Sequence, residues 1–123
     1  MATLNVTEAQ FEELILKEGT VLVDFWAAWC GPCRSFAPVY EATSEKYPDL
    51  TFAKIDTEAE QSLAASAGIT SIPTLMIFRD GILLFSQPGA LPSSSLEEII
   101  GKVAELNMDD VRKKIAEDTK EKL

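Results

Sequence analysis

The chain carries at residues 23–34 the stretch Val-Asp-Phe-Trp-Ala-Ala-Trp-Cys-Gly-Pro-Cys-Arg, which predicts a strand, a tight turn and the start of a helix. The strand is apolar on both faces except at Asp24, a pattern typical of a central parallel strand that helices cover on both sides. Pro32 suits the first turn of the helix that follows. The stretch therefore predicts that Cys30 and Cys33 lie where a central strand ends and a helix begins.

Apolar periodicity and turn residues on either side of this stretch predict an α/β domain with the element order βαβαβαββα. The predicted elements are strands 2–6, 21–27, 50–56, 74–79 and 82–87 and helices 7–17, 33–47, 58–67 and 94–106. Asp80-Gly81 predicts a hairpin between the last two strands. Ser94 and Ser95 each precede a glutamate by three residues and so predict the capped start of the last helix. We expect a central mixed five-stranded sheet flanked by four helices, with the hairpin as its antiparallel edge.

The length of 123 residues indicates a single domain, which we place at residues 1–106. The remaining segment, 107–123, has ten charged residues among its seventeen, five of each sign. Met108, Val111 and Ile115 lie on one side of a possible helix in this segment. We expect a charged extension, helical or partly disordered, that is solvated and is not a dedicated partner site.

Composition excludes several classes of function. The net charge is −9, and the chain has no histidine and only two cysteines. The missing histidine excludes Ser-His and Cys-His catalysis, and four zinc ligands are not available, so we expect no metal site. The acidic balance argues against nucleic acid as a partner. No apolar run reaches the roughly 20 residues of a membrane span, and the first residues do not resemble a leader, so we expect a cytoplasmic protein and no membrane partner.

Cys30 and Cys33 are separated by two residues, a spacing that allows three interpretations. They are buried thiols, half of a metal site, or a pair that exchanges disulfides with other proteins. Their position favours exchange, because amides and the dipole at a helix N-terminus stabilise a thiolate. Cys30, nearer the exposed start of the helix, is then the attacking residue and Cys33 the resolving one.

Four motifs resemble the thioredoxin family in order and spacing over about residues 2–106. They are the stretch at 23–34, Ser-Ile-Pro-Thr at 71–74, Asp80-Gly81, and Gly89-Ala90. The pentapeptide Trp-Cys-Gly-Pro-Cys is typical of the reducing members of that family. The resemblance implies the thioredoxin fold and an enzyme, a protein-disulfide reductase, that reduces disulfides in target proteins.

The resemblance also implies roles for individual residues. Asp24 would exchange a proton with the resolving thiol, and Lys54 would tune the pKa of that aspartate. The active-site turn would consist of Gly31 and Pro32. The bond before Pro73 would be cis. The residues that would line an apolar face for substrates are Trp29, Ile72, Pro73, Gly89 and Ala90. The sequence departs from the family at Pro88. A proline has no backbone N–H, so this position cannot donate a hydrogen bond to a substrate strand.

The glycines of the chain are too far apart to form a dinucleotide-binding fingerprint, so we expect no bound cofactor besides the redox-active Cys30–Cys33 disulfide. The resemblance then implies that electrons come from a separate flavin- and NADPH-dependent thioredoxin reductase, and we expect the chain to be a monomer.

A different class of function also fits the sequence, namely a binding module or chaperone-like adaptor that uses the apolar face around Trp29 and Pro73. A double serine variant that kept its biological role would favour that module.

Overall fold

The computed structural model describes residues 2–121, which form five strands and five helices. The strands are β1 (Thr3–Asn5), β2 (Thr20–Trp26), β3 (Thr51–Asp56), β4 (Thr74–Arg79) and β5 (Ile82–Pro88). The helices are α1 (Glu8–Ile15), α2 (Gly31–Lys46), α3 (Gln61–Ser66), α4 (Ser93–Glu105) and α5 (Met108–Glu121). The predicted order βαβαβαββα is confirmed for the first nine elements, and a fifth helix follows them in the extension. Among the residues described, no helix is long and apolar enough to cross a membrane.

The five strands form one mixed sheet in the order β1-β3-β2-β4-β5. β2 lies at the centre, parallel to β3 on one side and antiparallel to β4 on the other. β1 continues the parallel half, and β5 pairs with β4 as the predicted antiparallel hairpin. The carboxyl end of β2 therefore lies beside the start of β4, and this arrangement brings the cysteine turn next to Pro73.

Apolar side chains cover both faces of the sheet, as the composition of β2 predicts. One cluster joins Val21, Val23 and Phe25 of β2 to α1 and α3. The other joins Leu22 of β2 to α2 and α4. Because strand side chains alternate between faces, Asp24 lies on the same face as Leu22, under α2. The central strand thus carries one carboxylate into an otherwise apolar layer.

Three predicted helix starts are wrong. The second helix begins at Gly31 and not at residue 33, because Cys30 is its N-cap. The third helix begins at Gln61 and not at residue 58, because Asp56 Oδ1 accepts the Glu58 amide hydrogen at 2.9 Å and closes a turn there. The fourth helix begins at Ser93 with Pro92 as its N-cap, and no side chain caps it. Ser94 and Ser95 consequently lie inside the first turn and do not cap the helix.

Helix α5 packs against the end of the domain at the β4–β5 turn. Met108 is buried, and Arg112 forms an ion pair with Asp80 at 3.5 Å. Asp80 also accepts the Gly19 amide hydrogen at 2.8 Å, so this carboxylate contacts both α5 and the loop before β2. Arg79 donates to the carbonyl oxygens of residues 103, 104 and 106, where α4 ends. The described part of the extension is thus a helix that contacts the domain.

A chain that ends at Leu106 is expected to be less stable than the full chain. Burial of Met108 accounts for about 1.5–3 kcal/mol of unfolding free energy, whereas the partly exposed Arg112–Asp80 pair adds little. Guanidinium unfolding followed by circular dichroism measures the loss. Met108→Ala in the full chain should reproduce most of it, and Arg112→Ala should not. An unchanged midpoint for the shortened chain would contradict this packing.

Candidate functional site

Cys30 and Cys33 form a disulfide at the N-terminus of α2, with their Cα atoms 5.2 Å apart. Cys30 is the N-cap residue of the helix, and its Sγ accepts the amide hydrogen of Cys33 at 3.2 Å. Pro32 lies in the first helical turn, as predicted, where its missing N–H costs no hydrogen bond. A helix N-terminus with its amides directed at sulfur stabilises a thiolate on Cys30 once the disulfide is reduced.

The two cysteines do not differ in exposure in this disulfide form. Cys30 is 4% exposed and Cys33 is 3% exposed. Exposure therefore does not distinguish the two sulfurs in the oxidised state, in which Cys30 is the N-cap residue and Cys33 the third residue of α2. What distinguishes the two sulfurs is the environment of Cys30, whose Sγ accepts a helix amide and lies 3.7 Å from the carbonyl oxygen of Ile72.

The loop before β4 contacts the cysteine turn. Ile72 packs against the cluster that contains both cysteines, and the Ile72–Pro73 peptide bond is cis. The carbonyl oxygen of Pro73 accepts the Gly89 amide hydrogen at 2.8 Å. Gly89 has φ +104°, in the region that favours glycine, and Ala90 follows it on an exposed segment. The structure thus brings Ile72, Pro73 and Gly89 together beside the disulfide.

One predicted docking residue is not exposed, and the proline that departs from the family pattern lies in a strand. Pro73 is buried, so it supports this face from beneath. Pro88 pairs with Thr74 at the end of the edge strand β5, a position that tolerates proline. Trp29, by contrast, is 67% exposed and is the most exposed large apolar side chain among the residues described. Its ring dominates the surface next to Cys30.

Asp24 is 1% exposed, and neither of its carboxylate oxygens has a hydrogen-bond partner within residues 2–121. Burial raises the pKa of Asp24 from 3.8 to about 7, and the Lys54 ammonium offsets part of that rise. Lys54 is opposite Asp24 in the β2–β3 register, and its Nζ lies 4.9 Å above the Trp26 ring. Asp24 is consequently a group that exchanges its proton near neutral pH.

A small cavity joins this carboxyl group to the redox pair. Its volume is about 90 Å³, and Asp24, Cys33 and Lys54 all line it. Arg34 also lines the cavity, and its guanidinium donates to the Ala28 carbonyl oxygen at 2.8 Å, fixing the loop before the cysteines to α2. Cys33 and the buried carboxyl group of Asp24 thus line the same cavity.

Sequence reasoning missed Glu58. Its Oε1 accepts the indole hydrogen of Trp29 at 2.6 Å. Glu58 is one of twenty acidic residues and belongs to no motif, so no signal in the sequence separates it from the others. Among the residues described, no group of three or more histidine, cysteine or carboxylate side chains could hold a metal ion.

The family model for thioredoxin matches residues 2–102. The chain belongs to the thioredoxin family. A putative thioredoxin 2 of Streptomyces coelicolor is 51% identical, and the alignment covers 94% of this chain and 87% of that protein. The thioredoxin of Bacillus subtilis is 40% identical over 83% of this chain and 98% of its own length. The solved structure of Plasmodium falciparum thioredoxin superposes with a TM-score of 0.74 at 35% identity and covers 80% of this chain and 97% of its own.

The family and the geometry together establish the fold and the general activity. The mixed sheet with its flanking helices is the thioredoxin fold. The Cys30–Cys33 disulfide at the N-terminus of α2 is its redox-active centre. The protein is therefore a thiol–disulfide oxidoreductase, an enzyme that acts as a protein-disulfide reductase.

Lys54→Met is expected to raise the pKa of Asp24 above 7. The ammonium favours the ionised carboxylate, so its removal leaves only the burial that favours the neutral acid. An NMR titration of the Asp24 carboxyl carbon measures the change. Lys17→Met, which removes an exposed charge from the loop after α1, should leave the Asp24 titration unchanged. A lower pKa in Lys54→Met would contradict the charge interaction.

Proposed function

We propose that the protein reduces disulfides in target proteins by attack of Cys30 and resolution by Cys33. The observation that carries this assignment is the 3.2 Å contact between Cys30 Sγ and the Cys33 amide at the N-terminus of α2. In the reduced protein the same amide and the helix dipole stabilise a thiolate on Cys30. Cys33 is the third residue of the helix and contributes the second electron-donating sulfur.

The reaction has two exchange steps. The Cys30 thiolate attacks one sulfur of the target disulfide, so that a mixed disulfide forms and the other target sulfur leaves as a thiolate. Cys33 then loses its proton and attacks Cys30 Sγ, which releases the second target thiolate and closes the Cys30–Cys33 disulfide. Two electrons move from the protein to the target. Asp24 receives the Cys33 proton, a role supported by the cavity that both residues line.

Targets dock on the surface around the disulfide. Trp29 supplies an exposed aromatic ring, and Gly89 and Ala90 lie on an exposed segment that is hydrogen-bonded to Pro73. Ile72 places backbone groups beside Cys30, where an extended target segment reaches them. Pro73 holds this loop against the cysteine turn.

The oxidised protein is re-reduced by a flavin- and NADPH-dependent thioredoxin reductase, and it works without a bound cofactor of its own. The redox-active disulfide is the group that carries the electrons. We place the reaction in the cytoplasm, where thiols are kept reduced and a cysteine pair at this spacing is catalytic more often than structural.

Reduction of insulin disulfides tests both parts of the proposal. In one arm dithiothreitol supplies the electrons, and in the other NADPH and a bacterial thioredoxin reductase supply them. Activity in both arms is expected. Activity with dithiothreitol alone would reject the reductase partner, and no activity in either arm would reject the reduction of target disulfides.

A further inference from the structure

Trp29 is a large exposed ring with one polar atom. The indole N–H is the only hydrogen-bond donor of its side chain, and it donates to Glu58 Oε1 at 2.6 Å. Charge-assisted hydrogen bonds of this kind are short and directional. A ring that is 67% exposed has few packing contacts to fix its rotamer, so this bond is well suited to determine how the ring lies beside Cys30.

Glu58 is itself held in place by the turn between β3 and α3. Its amide hydrogen is accepted by Asp56 Oδ1 at 2.9 Å, and its carbonyl oxygen accepts from Gln61 Nε2 at 3.2 Å. The amide and hydroxyl of Thr57 both donate to the Trp26 carbonyl oxygen, at 2.9 and 3.0 Å. The turn is thus fixed to the end of β2, three residues before Trp29.

We propose that Glu58 is a positioning residue for Trp29, which orients the indole ring so that a target disulfide docks beside Cys30. Glu58 acts through the ring and makes no contact with the target. The proposal rests on the docking of targets at the Trp29 surface. It assigns a role in the disulfide exchange to a carboxylate on a different element from the cysteines.

The first experiment separates the hydrogen bond from the charge of Glu58. The pre-reduced protein is mixed with increasing insulin, and the rate of disulfide reduction is followed without any reductase. Glu58→Ala should raise the half-saturating insulin concentration by about three- to tenfold, with the limiting rate unchanged. Glu58→Gln keeps a carbonyl oxygen that accepts the indole hydrogen and should stay within roughly twofold of the parent. Equal losses in both variants would assign the effect to charge and overturn the proposal.

A double-mutant cycle tests whether Glu58 acts through the ring. In a Trp29→Phe background there is no indole hydrogen to accept, so Glu58→Ala should have no further effect. Glu13→Ala removes the same charge from an exposed site on α1 and should leave the insulin dependence unchanged. A full Glu58→Ala loss in the Trp29→Phe background would overturn the proposal.

A spectroscopic measurement is independent of activity. The Trp29 indole N–H gives its own NMR signal, which is assigned by its absence in Trp29→Phe. Its hydrogen exchange should accelerate in Glu58→Ala and remain slow in Glu58→Gln. Unchanged exchange in Glu58→Ala would overturn the positioning role, whereas failure to reduce insulin despite a protected indole would reject the proposed function instead.

Discussion

Cys33→Ser is expected to accumulate mixed disulfides between Cys30 and target proteins, whereas Cys30→Ser is expected to trap almost none. Removal of Cys33 leaves the attacking thiolate intact and deletes the group that resolves the intermediate. Removal of Cys30 deletes the sulfur that accepts the Cys33 amide hydrogen at the N-terminus of α2. Non-reducing gels and mass spectrometry of the trapped species measure the difference.

Turnover should fall by at least about a thousandfold in either single variant, because the two cysteines act as one unit and neither completes the exchange alone. A Cys30→Ser/Cys33→Ser variant should be no less active than either single variant. This double variant is the control, because any disulfide-linked species that forms in its presence joins cysteines of the target proteins only. Equal trapping by the two single variants would show that the attacking and resolving roles are not assigned as proposed.

The choice of Cys30 as nucleophile depends on local electrostatics. Both cysteines are almost fully buried in the disulfide form, so accessibility does not rank them. The position of Cys30 as N-cap of α2 makes it the better nucleophile, since its sulfur accepts an amide hydrogen from the helix. In the reduced protein, iodoacetamide should therefore alkylate Cys30 faster than Cys33.

The sequence was sufficient to predict the sheet, because its strands carry strong local signals. β2 is apolar on both faces, and the structure buries both of them. Asp80 and Gly81 have φ +52° and +82°, the left-handed pair that a two-residue hairpin turn requires. The helix starts were less predictable, because Asp56 competes for the amide of Glu58 and Pro92 takes the N-cap position of α4.

The contacts that complete the site are long-range and lack a sequence pattern. The hydrogen bond from Trp29 to Glu58 joins residues 29 positions apart, and it depends on where the β3–α3 turn lies. The ion pair between Arg112 and Asp80 likewise depends on the docking of α5 against the hairpin. Periodicity predicts the helix that carries Arg112, but it does not specify the surface against which the helix packs.

Asp24 is the residue at which function and stability oppose each other. Burial raises its folded pKa from 3.8 to about 7, so the folded protein binds the proton more tightly than the unfolded chain does. Stability is then fully retained below about pH 4 and falls as the pH rises from there to about 7. Above pH 7 the loss of unfolding free energy is constant. The difference between the folded and the unfolded pKa of Asp24 corresponds to a loss of roughly 4 kcal/mol.

Asp24→Asn keeps the shape of the side chain and cannot ionise, so it should unfold at higher guanidinium concentration than the parent at pH 8. The gain should reach up to roughly 4 kcal/mol at pH 8 and shrink toward zero near pH 4. Turnover should fall by about tenfold or more, because the variant cannot take the Cys33 proton. Asp49→Asn, at an exposed position, should change neither quantity. If Asp24→Asn is less stable than the parent at pH 8, the Asp24 carboxylate is stabilised by its surroundings in the folded state, and its pKa is then too low for the proposed proton transfer.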